Sequence, residues 1–243
     1  MYHIVGTSIQ RRSTLMRIVF VRHGHPNYEK DCLTELGHLH AAAAAERLAA
    51  EGITEIYSST CGRAYETAGY TARKLGLDIV KCDFMREISW GSNDGEPLFL
   101  DGHPWNTVDD MIAHNESLLE SDWTQGERFR RNKVTADVHK VALDTDLWLE
   151  RLGYRREGLY YRALGNTDRT IAAFGHGGAS AAILAHMFNL PFPFTSSIMG
   201  PDYTAVTVVD IPNRTDVLVS PHFELLNDAR HIRGLEIQNV YNR

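Results

Sequence analysis

Short apolar runs rich in β-branched residues alternate with helical patterns along this chain, and this alternation limits the possible folds more than any other feature. Four runs predict strands, at residues 17–21, 53–58, 77–82 and 170–174. Apolar residues at helical spacing predict helices at about residues 34–50, 62–75 and 177–188. Two further strands are predicted at residues 203–210 and 216–220. Because strands that alternate with helices form βαβ units, the sequence predicts an α/β protein, a three-layer α/β/α sandwich with a mostly parallel central sheet.

A long segment, residues 91–168, interrupts the alternation. It contains two helical patterns, near residues 107–119 and 134–152, and its 15 Asp and Glu against 9 Lys and Arg account for the whole net charge of −6. We expect a helical cap inserted into a single domain that spans residues 1–243, with residues 1–15 as an N-terminal extension. The cap is either a solvated structural element or a lid that selects the substrate.

The composition argues against several classes of protein. A net charge of −6 does not suit a protein that neutralises nucleic-acid phosphates over a broad surface. No run reaches the roughly 18 apolar residues that span a membrane, and the apolar run after Arg11 and Arg12 is too short for an export signal. Three cysteines suit a reducing compartment. We expect a cytoplasmic protein with neither a nucleic-acid nor a membrane partner.

Four predicted strands are followed by residues of complementary chemistry. In chain order, these residues are Arg22, His23, Gly24, Arg63, Glu87, His176 and Gly177. The carboxyl ends of parallel strands lie at one edge of a sheet, where open α/β sheets bind their ligands. We therefore expect these residues to converge on one site.

The residue types of this set suit phosphoryl transfer. A neutral imidazole is a competent nucleophile near pH 7, and the guanidinium groups of Arg22 and Arg63 match phosphoryl oxygens bidentately. A second histidine, cationic beside a phosphate dianion, would donate to the same oxygens.

Three further residues complete this chemistry. Gly24 and Gly177 would let the backbone approach a phosphate, and the helix predicted to begin at Gly177 offers free amides to an anion. Glu87 could give a proton to the leaving oxygen, and Asp94 and Glu96 are the next acids along the chain.

Five short motifs carry a family resemblance: VRHG at 21–24, LTELG at 33–37, SSTCGRAYETA at 58–68, REISWG at 86–91 and GHGG at 175–178. At these residues the sequence resembles the histidine phosphatase superfamily, in its phosphoglycerate-mutase-like branch. The resemblance implies that His23 is the phosphorylated nucleophile and Glu87 the proton donor. It also implies that Arg22, Arg63 and His176 hold the phosphoryl oxygens and that no metal or other cofactor takes part.

Three functions remain open at this point. The favoured one is a metal-independent phosphatase that hydrolyses a small phosphorylated metabolite through a phosphohistidine on His23, with inorganic phosphate as product or inhibitor. The alternatives are a phosphoglycerate-mutase-type isomerase and a non-catalytic protein that binds a phosphorylated ligand. The stretch after Gly24 departs from the pattern of the mutases, and the presence of His23, Glu87 and His176 together favours catalysis.

Two features of residues 91–168 bear on the substrate, which the sequence does not specify. A basic cluster is either the solvated start of the second cap helix or a clamp for a second acidic group of the substrate; its members are Arg128, Arg130, Arg131 and Lys133. The tryptophans of the segment, with Tyr154, Tyr160 and Tyr161, either form core or stack on a flat leaving group.

Overall fold

The computed structural model describes residues 15–165, 167–200 and 202–235. The predicted extension at residues 1–15 lies outside these ranges except for Leu15, which begins the first strand. Among the described residues, no helix has the length and apolarity that a membrane span needs.

Eleven strands and six α-helices make up the described part of the chain. The strands are β1 Leu15–Arg22, β2 Pro26–Asn27, β3 Cys32–Leu33, β4 Ile53–Ser59, β5 Ile79–Cys82, β6 Tyr154–Glu157, β7 Tyr160–Ala163, β8 Arg169–Gly175, β9 Val206–Pro212, β10 Leu218–Val219 and β11 His222–Asp228. The helices are α1 Glu35–Leu48, α2 Gly62–Leu75, α3 Pro104–Ala113, α4 Lys133–Arg151, α5 Gly177–Phe188 and α6 Phe192–Ile198.

The central sheet has six strands in the order β11-β9-β1-β8-β4-β5. Strands β1, β8, β4 and β5 are the four predicted from the apolar runs, and they pair in parallel. Strand β9 is antiparallel to β1, and β11 is antiparallel to β9. The prediction of a mostly parallel sheet between helical layers is confirmed.

Side chains of β1 alternate between the two faces of the sheet. Ile18 and Phe20 join one apolar core with helices α4 and α5, whereas Val19 and Val21 join the other with α1 and α2. Because both faces are covered, β1 is buried on both sides and has the continuous apolar sequence of a central parallel strand.

The predicted helix boundaries rest on capping residues that the structure also uses. The Thr34 hydroxyl accepts a hydrogen bond from the Gly37 amide at the start of α1. Gly76 adopts a left-handed conformation, with φ +68°, immediately after α2. Both helices therefore begin and end close to the predicted positions.

The segment 91–168 is only partly helical, which corrects one expectation. Its second helix, α4, packs beside α5 in the layer under the sheet. Strands β6 and β7 then form a hairpin that pairs with β10. The hairpin escapes detection in the sequence because its strands are short and carry Arg and Glu among their tyrosines.

Other boundaries also differ from the predictions. Helix α3 ends at Ala113 rather than at residue 119, since Asn115 takes a left-handed φ of 57°. Helix α6 and edge strand β11 were not predicted: α6 is one short stretch of seven residues, and β11 is irregular, with two register shifts against β9. Within residues 216–220, the strand formed is β10, which belongs to the three-stranded sheet with β6 and β7 and not to the central sheet.

Candidate active site

The parallel register of the sheet brings the predicted residues together at one edge. Strand β8 lies between β1 and β4, and Arg22 is directly opposite Gly175. The His23 amide donates to the Gly175 carbonyl at 3.0 Å. As a result the rings of His23 and His176, each the first residue after its strand, have centroids 5.1 Å apart.

His23 is held as a neutral imidazole with one free nitrogen. Its Nδ1 lies 2.7 Å from the Gly24 carbonyl oxygen, and because a carbonyl only accepts, Nδ1 carries the proton. The lone pair is therefore on Nε2, for which no partner is found among the described residues. Burial, with further contributions from Arg22 and His176, holds the pKa of His23 well below its usual range. The ring is 1% exposed, so only an incoming group at the site can reach it.

Two arginines present unused guanidinium donors. Nε and Nη1 of Arg22 are buried and have no hydrogen-bond partner among the described residues, while its Cζ lies 4.6 Å from the centroid of the Tyr203 ring. Arg63 is anchored by an ion pair with Asp31, and its Nε likewise has no partner. Buried cations without partners are costly, so this arrangement is built for an anion.

Asp31 is a site residue that the sequence did not reveal. It has a positive φ of 48°, and its Oδ2 accepts from the Gly62 amide at 2.7 Å. A Cβ at Gly62 would lie 2.1 Å from the Asp31 carbonyl oxygen, so only glycine fits there. The contact joins the loop after β2 to the start of α2, two elements whose proximity no sequence pattern indicates.

Burial favours the neutral form of His176, and its expected cationic form beside a phosphate dianion stays a prediction. Its pKa lies well below the usual range because of burial, with Arg63 and Arg22 contributing. Ser59 Oγ lies 2.9 Å from Nε2, and Nδ1 is buried without a partner among the described residues. When the hydroxyl donates to Nε2, Nδ1 carries the proton and can donate it to a phosphoryl oxygen.

Glu87 lies against the first turn of α5. Its Oε1 accepts from the Ala179 amide at 3.0 Å and from the Ile88 amide at 3.1 Å. Burial raises the pKa of Glu87 even though these amides and Arg22 oppose the rise. A half-buried carboxyl with a raised pKa, placed beside two arginines, is suited to carry and give up a proton.

The glycines of the site have different roles from one another. Gly177 lines the cavity, as predicted, and its amide is one of the helix N-terminal donors that lack a partner within the helix. Gly24 instead serves packing: its amide donates to Thr67 Oγ1, and a Cβ there would lie 2.6 Å from the Gly37 carbonyl oxygen. The expected close approach of the Gly24 backbone to a phosphate is therefore not supported.

A cavity of about 570 Å³ opens at this edge of the sheet. Its lining comprises Arg22, Tyr28, Arg63, Glu87, Ile88, Ser89, Trp90, His103, Trp105 and Gly177. The segment 91–168 thus contributes Trp105 and His103. Tyr154 and Tyr161 are fully buried and belong to the core, the first of the two alternatives, and Tyr160 does not line the cavity.

The basic cluster of the cap does not reach the cavity. Arg128 pairs with Asp110 and Glu116, and Arg131 pairs with Asp94. Both arginines line a separate cavity of about 910 Å³ within residues 97–131. This placement favours the structural alternative for Arg128 and Arg131 over a clamp in the first cavity, and Asp94 does not line that cavity either.

Known proteins share this sequence pattern and this fold. The family model of the histidine phosphatase superfamily (branch 1) matches residues 18–138. Over 93 residues, the chain is 32% identical to the probable phosphoglycerate mutase GpmB of Yersinia pestis. That match covers 35% of this chain and 43% of the relative, so the chain spans less than half the length of the curated relatives it matches.

Solved structures agree over most of the chain. A mycobacterial glucosyl-3-phosphoglycerate phosphatase superposes with a TM-score of 0.60 at 23% identity, covering 88% of this chain and 99% of that one. A phosphoserine phosphatase of Entamoeba histolytica, in complex with 3-phosphoglyceric acid, superposes with a TM-score of 0.60 at 17% identity, covering 89% and 99%. At these identities the likeness shows the fold. The family model and the five motifs show that this chain belongs to the histidine phosphatase superfamily.

The packing of Glu87 predicts the effect of a Gly178→Ala substitution. A Cβ at Gly178 would lie 2.7 Å from Glu87 Oε1 and 2.6 Å from Ile88 Cγ1, so the carboxyl must move. We expect a loss of about 1–3 kcal/mol in the free energy of unfolding and a slowing of alkyl phosphate turnover by about 10- to 100-fold. Urea unfolding and steady-state assays measure both quantities.

The matched control is Gly69→Ala, in the interior of α2. A Cβ there meets only the far end of the Arg73 side chain, and alanine is the better helix former. We expect this variant to keep its activity and to be as stable as the native protein or more so. Full activity in Gly178→Ala would contradict the placement of Glu87.

The shifted pKa values predict the pH profile of kcat/KM. The family resemblance implies that His23 is the nucleophile, which must be neutral, and that Glu87 is the acid, which must be protonated. With these roles, the lowered pKa of His23 extends activity towards acid and the raised pKa of Glu87 extends it towards alkali. Below about pH 6 only the substrate phosphate, whose second pKa is near 6, should titrate, giving a limiting slope of about one. A slope of about two would show that His23 also titrates there. The alkaline limb should disappear in Glu87→Gln.

Proposed function

We propose that this protein is a metal-independent phosphatase that hydrolyses a phosphomonoester through a phosphohistidine on His23. The observation that carries the proposal is the state of His23: buried, neutral, with its proton fixed on Nδ1 by the Gly24 carbonyl, and adjacent to two arginines with unused donors. A nucleophile and the charges that stabilise a phosphoryl group are thus assembled from the protein's own side chains.

The first half-reaction transfers the phosphoryl group to the enzyme. Nε2 of His23 attacks phosphorus, the bond between phosphorus and the ester oxygen breaks, and Glu87 gives its proton to that oxygen so that a neutral alcohol leaves. Arg22, Arg63 and the Nδ1–H of His176 hold the equatorial oxygens as negative charge spreads over them. The bond formed is N–P on His23, and Glu87 is left as a carboxylate.

The second half-reaction restores the enzyme. Glu87, now ionised, takes a proton from water while the water oxygen attacks phosphorus, and the N–P bond breaks to release inorganic phosphate. His23 regains its neutral form and Glu87 its proton. The same carboxyl therefore acts first as acid and then as base.

A mutase is the second candidate, because the sequence relatives bear that name. A mutase must hold a second acidic group of its substrate while the phosphoryl group is returned to it. Arg22 and Arg63 are the arginines that line the cavity within the described ranges, and the cap arginines Arg128 and Arg131 are paired elsewhere. This distribution of charge supports the phosphatase over the mutase.

The nucleophile is tested by labelling. With a radiolabelled phosphomonoester, we expect acid-labile, base-stable label on the native enzyme and none on His23→Ala, which should also lose turnover. His38→Ala, which alters an exposed histidine beside Tyr70, is the control and should keep both. Label that persists in His23→Ala would refute the assignment.

Phosphorus NMR of the products distinguishes the two candidates: inorganic phosphate supports the phosphatase, and an isomerised phosphoester supports the mutase.

The role of Glu87 is tested by varying the leaving group. Glu87→Gln should slow single-turnover phosphorylation by alkyl phosphates by about 10²–10⁴-fold, the usual contribution of general acid catalysis. A nitrophenyl phosphate should be affected far less, because its leaving anion is already stable. Asp94→Asn, in the ion pair with Arg131, is the control and should alter neither rate. Equal losses on both substrates would mean that Glu87 positions the arginines and does not donate the proton.

A further inference from the structure

Aromatic rings line the part of the cavity that lies beyond the two arginines. We propose that the leaving group is an uncharged aromatic alcohol, so that the substrate carries its negative charge on the phosphate alone. This inference rests on the proposed phosphatase function and adds the class of substrate to it. The proposed substrate thus differs from 3-phosphoglyceric acid, the phosphorylated carboxylic acid bound to one of the structural neighbours.

The charge balance of the cavity is the first argument. Arg22 and Arg63 are the cationic lining residues in the described part of the chain, and Arg63 already pairs with Asp31. A phosphate dianion therefore uses all the positive charge that the cavity offers. A carboxylate on the leaving group would be a third negative charge without a cation to pair with.

The rim of the cavity is also unfavourable to an anion. The backbone amide and the hydroxyl of Ser89, a lining residue, both donate to Asp137 Oδ2, at 2.7 and 2.6 Å. These two donors are thus occupied, and the group that occupies them is a carboxylate. A leaving group that carries its own carboxylate would meet like charge at this rim.

The aromatic lining forms a continuous surface. The ring centroids of Trp90 and His103 are 4.8 Å apart, and those of His103 and Trp105 are 5.7 Å apart. Tyr28 also lines the cavity, with the Arg63 guanidinium 5.4 Å from its ring centroid. Tyr28 is 64% exposed and Trp90 39% exposed, so large apolar surfaces face solvent at a site otherwise built for an anion. A flat apolar group bound in the cavity would cover part of that surface and stack on it.

Trp105 adds a neutral donor to this surface. Its side chain is 91% buried, yet Nε1 has no hydrogen-bond partner among the described residues. A Cβ added to Gly177 would lie 3.4 Å from Cζ2 and 3.3 Å from Cη2 of the Trp105 indole. These atoms lie on the same edge of the indole as Nε1, so that edge faces the start of α5. An uncharged acceptor, such as the ester oxygen of the substrate, suits this N–H without needing a counter-ion.

The experiment compares substrates whose alcohols differ in shape and charge and little in acidity. The panel is benzyl phosphate, 4-carboxybenzyl phosphate and ethyl phosphate, with 3-phosphoglycerate as the aliphatic acid. We expect kcat/KM for benzyl phosphate to exceed each of the others by about tenfold or more, which corresponds to about 1.4 kcal/mol of transition-state stabilisation.

Variants then locate the preference. Trp90→Ala should lower the ratio of kcat/KM for benzyl phosphate to that for ethyl phosphate by about three- to tenfold, as expected for the loss of one aromatic contact. Trp90→Lys should raise kcat/KM for 4-carboxybenzyl phosphate relative to benzyl phosphate, since it supplies the missing cation. Phe99→Ala is the matched control: Phe99 is 54% exposed, does not line this cavity, and its loss should leave every ratio unchanged.

The outcomes separate the two proposals. If 4-carboxybenzyl phosphate or 3-phosphoglycerate is hydrolysed as well as benzyl phosphate or better, the inference about the leaving group is wrong, while the phosphatase function stands. If benzyl phosphate is preferred and Trp90→Ala lowers its advantage, the inference is supported. If no ester of the panel is hydrolysed and no label appears on His23, the phosphatase function fails, and the inference fails with it.

Discussion

The pairing of β1 with β8 is the constraint on which the rest of the site depends. It sets Arg22 opposite Gly175, so the next residue of each strand, His23 and His176, enters the site side by side. A shift of one residue in this register would exchange the two faces of β1 and move Ile18 and Phe20 out of their core. The apolar packing of the sheet therefore fixes the spacing of the two histidines. The geometry of the site depends in this way on the stability of the whole core.

The site places positively charged groups where they are buried, and burying a charge without a partner costs free energy. Two arginines with unused donors lie beside two histidines whose pKa values are held well below their usual range, chiefly by burial. Protonating either histidine would add a third cation, so the site favours their neutral forms. The same burial raises the pKa of Glu87 and keeps a proton available. One physical cause, exclusion of water, thus favours both the neutral imidazole and the protonated carboxyl that the proposed mechanism needs.

The sequence predicts those parts of the fold and site that depend on local patterns. The four parallel strands and the helices that follow them carry their own apolar periodicity and caps, as Thr34 and Gly76 illustrate. Arg22, His23, Arg63, Glu87 and His176 follow predicted strands, and the structure brings them to one edge of the sheet. Edge strand β11 and the hairpin β6–β7 are short or irregular, and their tertiary partners define them more than their residues do.

The residues that sequence analysis missed make contacts between distant segments. Asp31 fixes Arg63 from a loop about 30 residues earlier in the chain, and no periodicity marks it. Trp105 belongs to a helix whose predicted start fell after it, so its place over Gly177 could not be foreseen. For Tyr154 and Tyr161 the sequence left core and stacking open, and their burial in the core decides between the two.

On the proposed function, chemistry and selectivity fall to different parts of the fold, the α/β core and the segment 91–168. Every group assigned to bond making follows a strand or starts a helix of the α/β core, where backbone hydrogen bonds such as that from the His23 amide to Gly175 hold it in place. Trp105 and His103 come from the segment 91–168, whose own charges are largely paired with one another, as in Arg128–Asp110 and Arg131–Asp94. The two described residues of this segment that line the cavity are aromatic rings, and neither is an arginine or a lysine. A cap of this kind can change its lining without disturbing the nucleophile, because the two sets of residues rest on different elements.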